Sequence, residues 1–121
     1  MHVPKIYIVD DDESVRDSAR VLLESYDHVV EDYASARDFL EGYEGEGGCC
    51  LLLDLNMPDM DGFQLLEMLR DRGIDIPVII VSAQDDKAVK EKARQAGAFA
   101  FFNKPVGDSL MKAIEQALSR N

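Results

Sequence analysis

Residues 5–12 of the chain read KIYIVDDD, an apolar, β-prone run that stops at three successive carboxylates. This run predicts a β-strand over residues 5–9. Apolar side chains then recur at helical spacing from Val15 to Tyr26, which predicts an amphipathic helix over residues 13–26. A strand that leads directly into a helix is the first unit of an alternating α/β pattern.

The same alternation continues through the rest of the chain. Short apolar or β-branched runs predict four more strands, at residues 28–33, 49–53, 78–81 and 99–102. Amphipathic stretches predict four more helices, one capped by Ser35, one over 63–72, one over 86–96 and one from Leu110 to Leu118. Five strands alternating with five helices predict a doubly wound α/β fold, a parallel sheet with helices on both faces.

Composition limits the organisation and the partners of the chain. Its 121 residues predict one domain, residues 1–121. The formal net charge of −11 predicts a surface that repels nucleic acid and anionic membranes, so neither is expected to bind directly. The cysteines are the neighbours Cys49 and Cys50, and no apolar run is long enough to span a bilayer. We therefore expect a cytoplasmic protein with reduced thiols.

Polar side chains follow four of the predicted strands. They are Asp10 and Asp11, Asp54, Ser82 and Lys104. Since the carboxyl ends of parallel strands share one edge of the sheet, we expect these side chains to converge there. Two like charges about 4 Å apart repel by roughly 4 kcal/mol at an effective dielectric near 20, so gathered carboxylates need more counter-charge than Lys104 supplies. A hard divalent cation such as Mg²⁺ meets that need.

Asp54 is the predicted nucleophile of this group. It stands alone at its strand end, whereas Asp10 and Asp11 are paired and suited to holding the cation. A carboxylate beside a cation, an ammonium and a hydroxyl donor has the groups that phosphoryl transfer requires. The sequence therefore predicts a phosphoryl-accepting carboxylate at this edge.

Four segments at strand ends resemble, in order, the motifs of response-regulator receiver domains of bacterial two-component signalling: residues 8–12, 53–62, 81–83 and 101–105. The resemblance extends over the whole chain and implies a chemotaxis-receiver-like sheet with strand order 2-1-3-4-5. It implies that Asp54 accepts a phosphoryl group from a sensor histidine kinase. It also implies a signalling switch rather than an enzyme, with Mg-dependent self-phosphorylation from phosphodonors and self-dephosphorylation.

The resemblance assigns further roles within the site. Mg²⁺, or Mn²⁺ in its place, would be arranged by Asp10, Asp11, Asp54 and the carbonyl of Asn56. Ser82 and Lys104 would contact the phosphoryl oxygens, and Phe101 would turn inward as Ser82 moves. The face formed by the fourth helix, fifth strand and fifth helix would then control an output domain or effector, as in transcription regulation, with a homodimer expected on phosphorylation. The Lys104-Pro105 bond is expected to be cis.

Two other functions would use similar residues. A Mg-dependent phosphatase with an aspartyl-phosphate intermediate usually places a second acid two residues after its nucleophile, where this chain has Asn56. A flavin-binding electron carrier would need a phosphate-cradling loop where residues 10–12 are acidic.

Within the site, Asp12 is interpreted as a carboxylate at a helix start, and Phe101 as either a switch or a plain core residue.

Overall fold

The computed structural model describes residues 4–43, 45, 49–84, 86–104 and 107–119. Within these residues five strands alternate with five helices. In chain order they are β1 (Lys5–Val9), α1 (Glu13–Ser25), β2 (Val29–Tyr33), α2 (Ala36–Gly42), β3 (Cys50–Leu53), α3 (Gly62–Asp71), β4 (Val78–Ser82), α4 (Lys87–Gln95), β5 (Ala100–Asn103) and α5 (Asp108–Ser119). Pro105, and with it the expected cis bond, lies outside the described residues.

The strands form one parallel sheet in the order β2-β1-β3-β4-β5, which confirms the predicted doubly wound fold. Backbone hydrogen bonds extend the ladders past three strand ends: from the Asp10 amide to the Tyr33 carbonyl, from Asp54 to Val9, and from Lys104 to Ser82. Because these bonds fix the backbone beyond the strands, the side chains that follow β1, β3 and β5 are held at one edge of the sheet.

Helices cover both faces of the sheet. The core on one face includes side chains of α2, α3 and α4, and the core on the other includes those of α1 and α5. Successive residues of an extended chain point to opposite faces, so Cys49, just before β3, belongs to the first core and Cys50 to the second. Burial, and then the neighbouring Cys49, raises the pKa of Cys50 to about 12. The Cys50 thiol therefore stays protonated near neutral pH and serves as a packing group.

Helix boundaries differ from the predictions by one or two residues, and at the start of α4 the difference arises because the capping residue lies just outside the helix. Asp86, predicted as the first residue of its helix, is instead the N-cap of α4 and accepts a 2.8 Å hydrogen bond from the Ala88 amide. Asp12 caps α1 in the same way, accepting from the Ser14 and Val15 amides. These bonds satisfy amides that have no partner within the helix, which explains the acidic residue at each start.

The apolar face of α1 is less buried than its sequence predicts. Leu23 is buried, but Leu22 and Tyr26, which have the same helical spacing, are 42% and 50% exposed. The apolar face of α1 is therefore wider than the part of the helix surface that contacts the sheet. No helix in the described part of the chain combines the length and the apolar composition needed to cross a bilayer.

Candidate functional site

Asp10 follows β1 and is buried, with 4% of its surface exposed. Its carboxylate accepts a 2.9 Å hydrogen bond from the Asp12 amide, which ties the side chain to the turn that leads into α1. Its backbone carbonyl accepts a 2.8 Å hydrogen bond from the Arg16 guanidinium. Burial with fixed partners leaves the Asp10 carboxylate few directions in which to point.

Asp54 follows β3 and is also buried, with 8% of its surface exposed. Burial, and then the charge of Asp10, raises the pKa of the Asp54 carboxyl, while Lys104 and a hydrogen bond from the Asn56 amide act in the opposite direction. An apolar cavity of about 60 Å³ borders Asp10 and Asp54 on their inner side. The rise in pKa shows that desolvation and like charge together outweigh the nearby cation.

Asp10, Asp11 and Asp54 form an acidic site at the sheet edge. Each offers a carboxylate oxygen, and these oxygens lie within 4.8 Å of one another, with Asp11 exposed and the other two buried. Hard oxygen donors converging in this way are the ligand type that Mg²⁺ prefers, and Mg²⁺ uses one or two carboxylates and completes its octahedron with water or phosphate oxygens. The exposed Asp11 leaves an open side for them. The donor set therefore fits a divalent cation.

Lys104 follows β5 and reaches across the edge to the acidic site. Its Nζ lies 3.4 Å from Asp10 Oδ2 and 3.8 Å from Asp54 Oδ1. Its side chain is 29% exposed, so solvent weakens both interactions. One partly solvated ammonium does not neutralise three carboxylates, and the raised pKa of Asp54 agrees with that imbalance.

Ser82 ends β4 and is fully buried. Its Oγ accepts a 3.1 Å hydrogen bond from the Gln84 amide, and its carbonyl accepts one from the Lys104 amide. The Asn103 side-chain amide donates to the Gln84 carbonyl at 2.6 Å and joins the end of β5 to the loop after β4. These hydrogen bonds fix the positions of Ser82 and Lys104 relative to each other. The Ser82 hydroxyl proton can still point to another acceptor.

Asn56 lies in the exposed part of the loop between β3 and α3. The loop is closed at its base by a 3.1 Å hydrogen bond from the Gly62 amide to the Leu55 carbonyl. A Cβ on Gly62 would lie 2.8–2.9 Å from atoms of Leu55 and from the Asp54 carbonyl oxygen. The start of α3 thus presses directly on the backbone that carries Asp54, and glycine is the residue that permits this approach.

Phe101 lies in β5, opposite Ile80 of β4, and is half-buried. It packs against the core that contains Ala93 of α4 and lines a shallow depression with Lys90 and Arg94 of the same helix. The aromatic ring therefore packs on the α4 side of the sheet. The structure is compatible with both the core and the switch interpretations of Phe101.

Sequence reasoning missed two residues that contact the backbone of this site. Arg16 donates to the Asp10 carbonyl and pairs with Asp32 of β2, and Gly62 packs on the Asp54 backbone. The position of Arg16 one turn into α1 is a weak signal, since a charged residue there is usually solvated. The contact of Gly62 with Asp54 depends on tertiary packing, which a local sequence pattern does not reveal.

Comparisons with known proteins agree with the geometry. The model of the response regulator receiver domain family matches residues 6–115. The chain is 38% identical to the transcriptional regulatory protein TdiR of Thauera aromatica over 117 residues, which cover 96% of this chain and 52% of TdiR. It is 38% identical to the transcriptional regulatory protein FixJ of Rhizobium meliloti strain 1021 over 113 residues, 93% of this chain and 55% of FixJ. The chain thus spans about half the length of the regulators that it matches.

Solved structures give the same result. The crystal structure of FixJ-N superimposes with a TM-score of 0.90 at 36% identity, covering 100% of this chain and 98% of FixJ-N. The low-resolution structure of the response regulator StyR gives a TM-score of 0.91 at 40% identity, covering 99% of this chain and 61% of StyR. These similarities do not favour the phosphatase alternative. The chain belongs to the response regulator receiver domain family, whose members act as signalling switches.

Proposed function

We propose that the chain is a phospho-accepting switch in which Asp54 takes a phosphoryl group from the phosphohistidine of a sensor histidine kinase. The observation that carries this proposal is the convergence of Asp10, Asp11 and Asp54 within 4.8 Å of one another, with the Lys104 ammonium 3.8 Å from Asp54. A nucleophilic carboxylate, a cation site and a cationic donor are thereby combined at one edge of the sheet.

The chemistry follows from the surroundings of Asp54. One of its carboxylate oxygens attacks the phosphorus, the bond from phosphorus to the histidine nitrogen breaks, and the nitrogen leaves with the bonding electrons. The amide of Asn56 donates to the Asp54 carboxylate and orients it for this attack. Burial of Asp54 on its inner side limits the approach of water, which favours attack by the carboxylate over hydrolysis of the donor.

The other residues at this edge of the sheet stabilise the negative charge of the phosphoryl group. Asp10, Asp11, Asp54 and the carbonyl of Asn56 would bind Mg²⁺ or Mn²⁺, which supplies positive charge beside the phosphoryl oxygens when bound. Lys104 exchanges its contacts with the carboxylates for a phosphoryl oxygen. Ser82 turns its hydroxyl from the Gln84 amide towards another phosphoryl oxygen. Self-dephosphorylation then needs a water molecule in line with the acyl phosphate.

The movement of Ser82 supplies the output of the switch. Ser82 leaves space at the end of β4, Phe101 turns inward from the α4 side, and the surface of α4, β5 and α5 changes shape. That surface then acts on an output domain or effector and brings two phosphorylated copies together. Transcription regulation is the expected output, because relatives of about twice this length are named transcriptional regulatory proteins.

Labelling with a small phosphodonor tests this function. The protein is incubated with acetyl phosphate and Mg²⁺, with and without excess EDTA, and its intact mass is measured. We expect one added phosphoryl group with Mg²⁺, and little or none with EDTA or in the Asp54→Asn variant. Equal labelling of the Asp54→Asn variant, or labelling that EDTA does not reduce, would contradict the proposal.

A further inference from the structure

Arg16 joins three parts of the fold near the acidic site. It lies in α1, and its side chain is 13% exposed. Its Nη1 donates to the Asp10 carbonyl oxygen at 2.8 Å, while its Nε donates to Asp32 Oδ2 at 3.0 Å. One planar guanidinium therefore binds the end of β1 and a carboxylate of β2 at the same time, which a single ammonium does not reproduce.

The contact with Asp10 replaces a missing sheet hydrogen bond. The Asp10 amide donates to the Tyr33 carbonyl, and β2 ends at Tyr33. If the parallel ladder continued beyond Tyr33, a backbone amide of β2 would donate to the Asp10 carbonyl. Here the Arg16 guanidinium donates to that carbonyl instead. Both backbone polar groups of Asp10 are thus fixed where the strand turns towards α1.

Asp32 in turn fixes the direction of Arg16. Its second oxygen, Oδ1, accepts from Arg20, which lies one turn further along α1 and also pairs with Glu24 at 3.2 Å. Asp32 therefore binds two arginines, and Arg16 alone of the two also contacts Asp10. Charge-assisted bonds at both ends of the Arg16 fork hold the guanidinium in one orientation.

We propose that Arg16 is a positioning residue for the divalent-cation site. By holding the Asp10 carbonyl it sets the backbone from which the Asp10 and Asp11 side chains project. The Asp10 carboxylate is already tied to the Asp12 amide, so a shift of this turn moves the carboxylate with it. Arg16 does not contact the cation, and its role rests on the proposed function of the acidic site.

Paired variants test this role. Arg16→Met removes the contacts with Asp10 and Asp32, whereas Arg20→Met, the matched control, removes a contact with Asp32 and none with Asp10. Mg²⁺ affinity is measured by titration of amide chemical shifts, and thermal stability is measured separately in EDTA. Loss of a residue that orients metal ligands typically lowers affinity about 10- to 100-fold. We expect a loss of about tenfold for Arg16→Met and little change for Arg20→Met.

Arg16→Lys provides a second comparison that does not depend on the folding of Arg16→Met. It keeps the charge on α1 and replaces the fork by one ammonium, so we expect stability in EDTA near wild type but an Mg²⁺ affinity below that of Arg20→Met. A purely structural role would lower stability without changing the affinity of the folded protein. Wild-type affinity in Arg16→Lys, or equal affinities in Arg16→Met and Arg20→Met, would overturn the role of Arg16. Wild-type protein that binds no Mg²⁺ would contradict the proposed function itself.

Discussion

The Lys104 ammonium lies 3.4 Å from the Asp10 carboxylate, although 94 residues separate the two in the sequence. They meet because β1 and β5 run parallel in one sheet and both end at the same edge. Asp54, at the end of β3, one of the two strands that lie between them, is 3.8 Å from the same ammonium. The carboxylates therefore share one cationic side chain, and a divalent cation would complete the charge balance.

Mg²⁺ should stabilise the protein because it offsets the excess negative charge of the acidic site. We expect the melting temperature to rise with Mg²⁺ concentration, because binding to the folded state adds about 2.7 kcal/mol at 100 times Kd. Asp11→Asn should reduce the shift and leave the metal-free melting temperature little changed, since Asp11 is exposed. The control is Asp17→Asn, an exposed carboxylate of α1 outside the acidic site. An undiminished Mg²⁺ shift in Asp11→Asn would contradict a ligand role for Asp11.

The pKa of Asp54 predicts a pH dependence of the metal-free protein. Burial, followed by the charge of Asp10, raises this pKa in the folded state, so the folded state binds more protons than the unfolded state. The free energy of unfolding should therefore fall as pH rises from the ordinary aspartate pKa through the higher pKa of folded Asp54. The difference between wild type and Asp54→Asn, from urea melts in EDTA, isolates this contribution. A difference that does not vary with pH would refute it.

Gly62→Ala should destabilise the fold and disturb the acceptor. The added Cβ would lie 2.9 Å from the Asp54 carbonyl oxygen and from Leu55 Cα, which are backbone atoms that cannot turn aside. Overpacking of this kind costs typically about 1–3 kcal/mol. Gly107→Ala is the control, because its Cβ would have no neighbour within 4 Å. Urea melts and acetyl phosphate labelling should both show a loss in Gly62→Ala alone; wild-type behaviour of both variants would rule out the close contact.

Local sequence patterns were sufficient to predict the helices and strands, and the polar residues that lie at the carboxyl edge of the sheet. Four of the five strands are apolar runs that stop at a polar residue, and parallel strands bring those residues to one edge of the sheet, so Asp10, Asp54 and Ser82 could be placed there without coordinates. The contacts of Arg16 with Asp10 and of Gly62 with Asp54 could not be predicted from the sequence, because both depend on how a helix packs on the sheet. The exposure of Leu22 was missed for the same reason, since periodicity gives the direction of a face but not the width of its contact.

The proposed switch predicts a change on the surface of α4, β5 and α5. Beryllofluoride stands in for the phosphoryl group on Asp54, and its addition with Mg²⁺ should alter amide hydrogen exchange in these three elements. Ser82→Ala has no hydroxyl to follow the phosphoryl oxygens, so we expect a much smaller change there. Exchange that is the same with and without beryllofluoride in wild type, or a full response in Ser82→Ala, would contradict transmission through Ser82.

Mapping of the phosphorylated residue tests the central claim most directly. Borohydride reduces an aspartyl phosphate to homoserine, so the protein can be labelled with acetyl phosphate and Mg²⁺, reduced, digested and sequenced by mass spectrometry. We predict homoserine at position 54, and none when EDTA is present during labelling. Homoserine at position 10 or 11 in place of 54, or its absence from a protein that has gained a phosphoryl group, would show that Asp54 is not the acceptor.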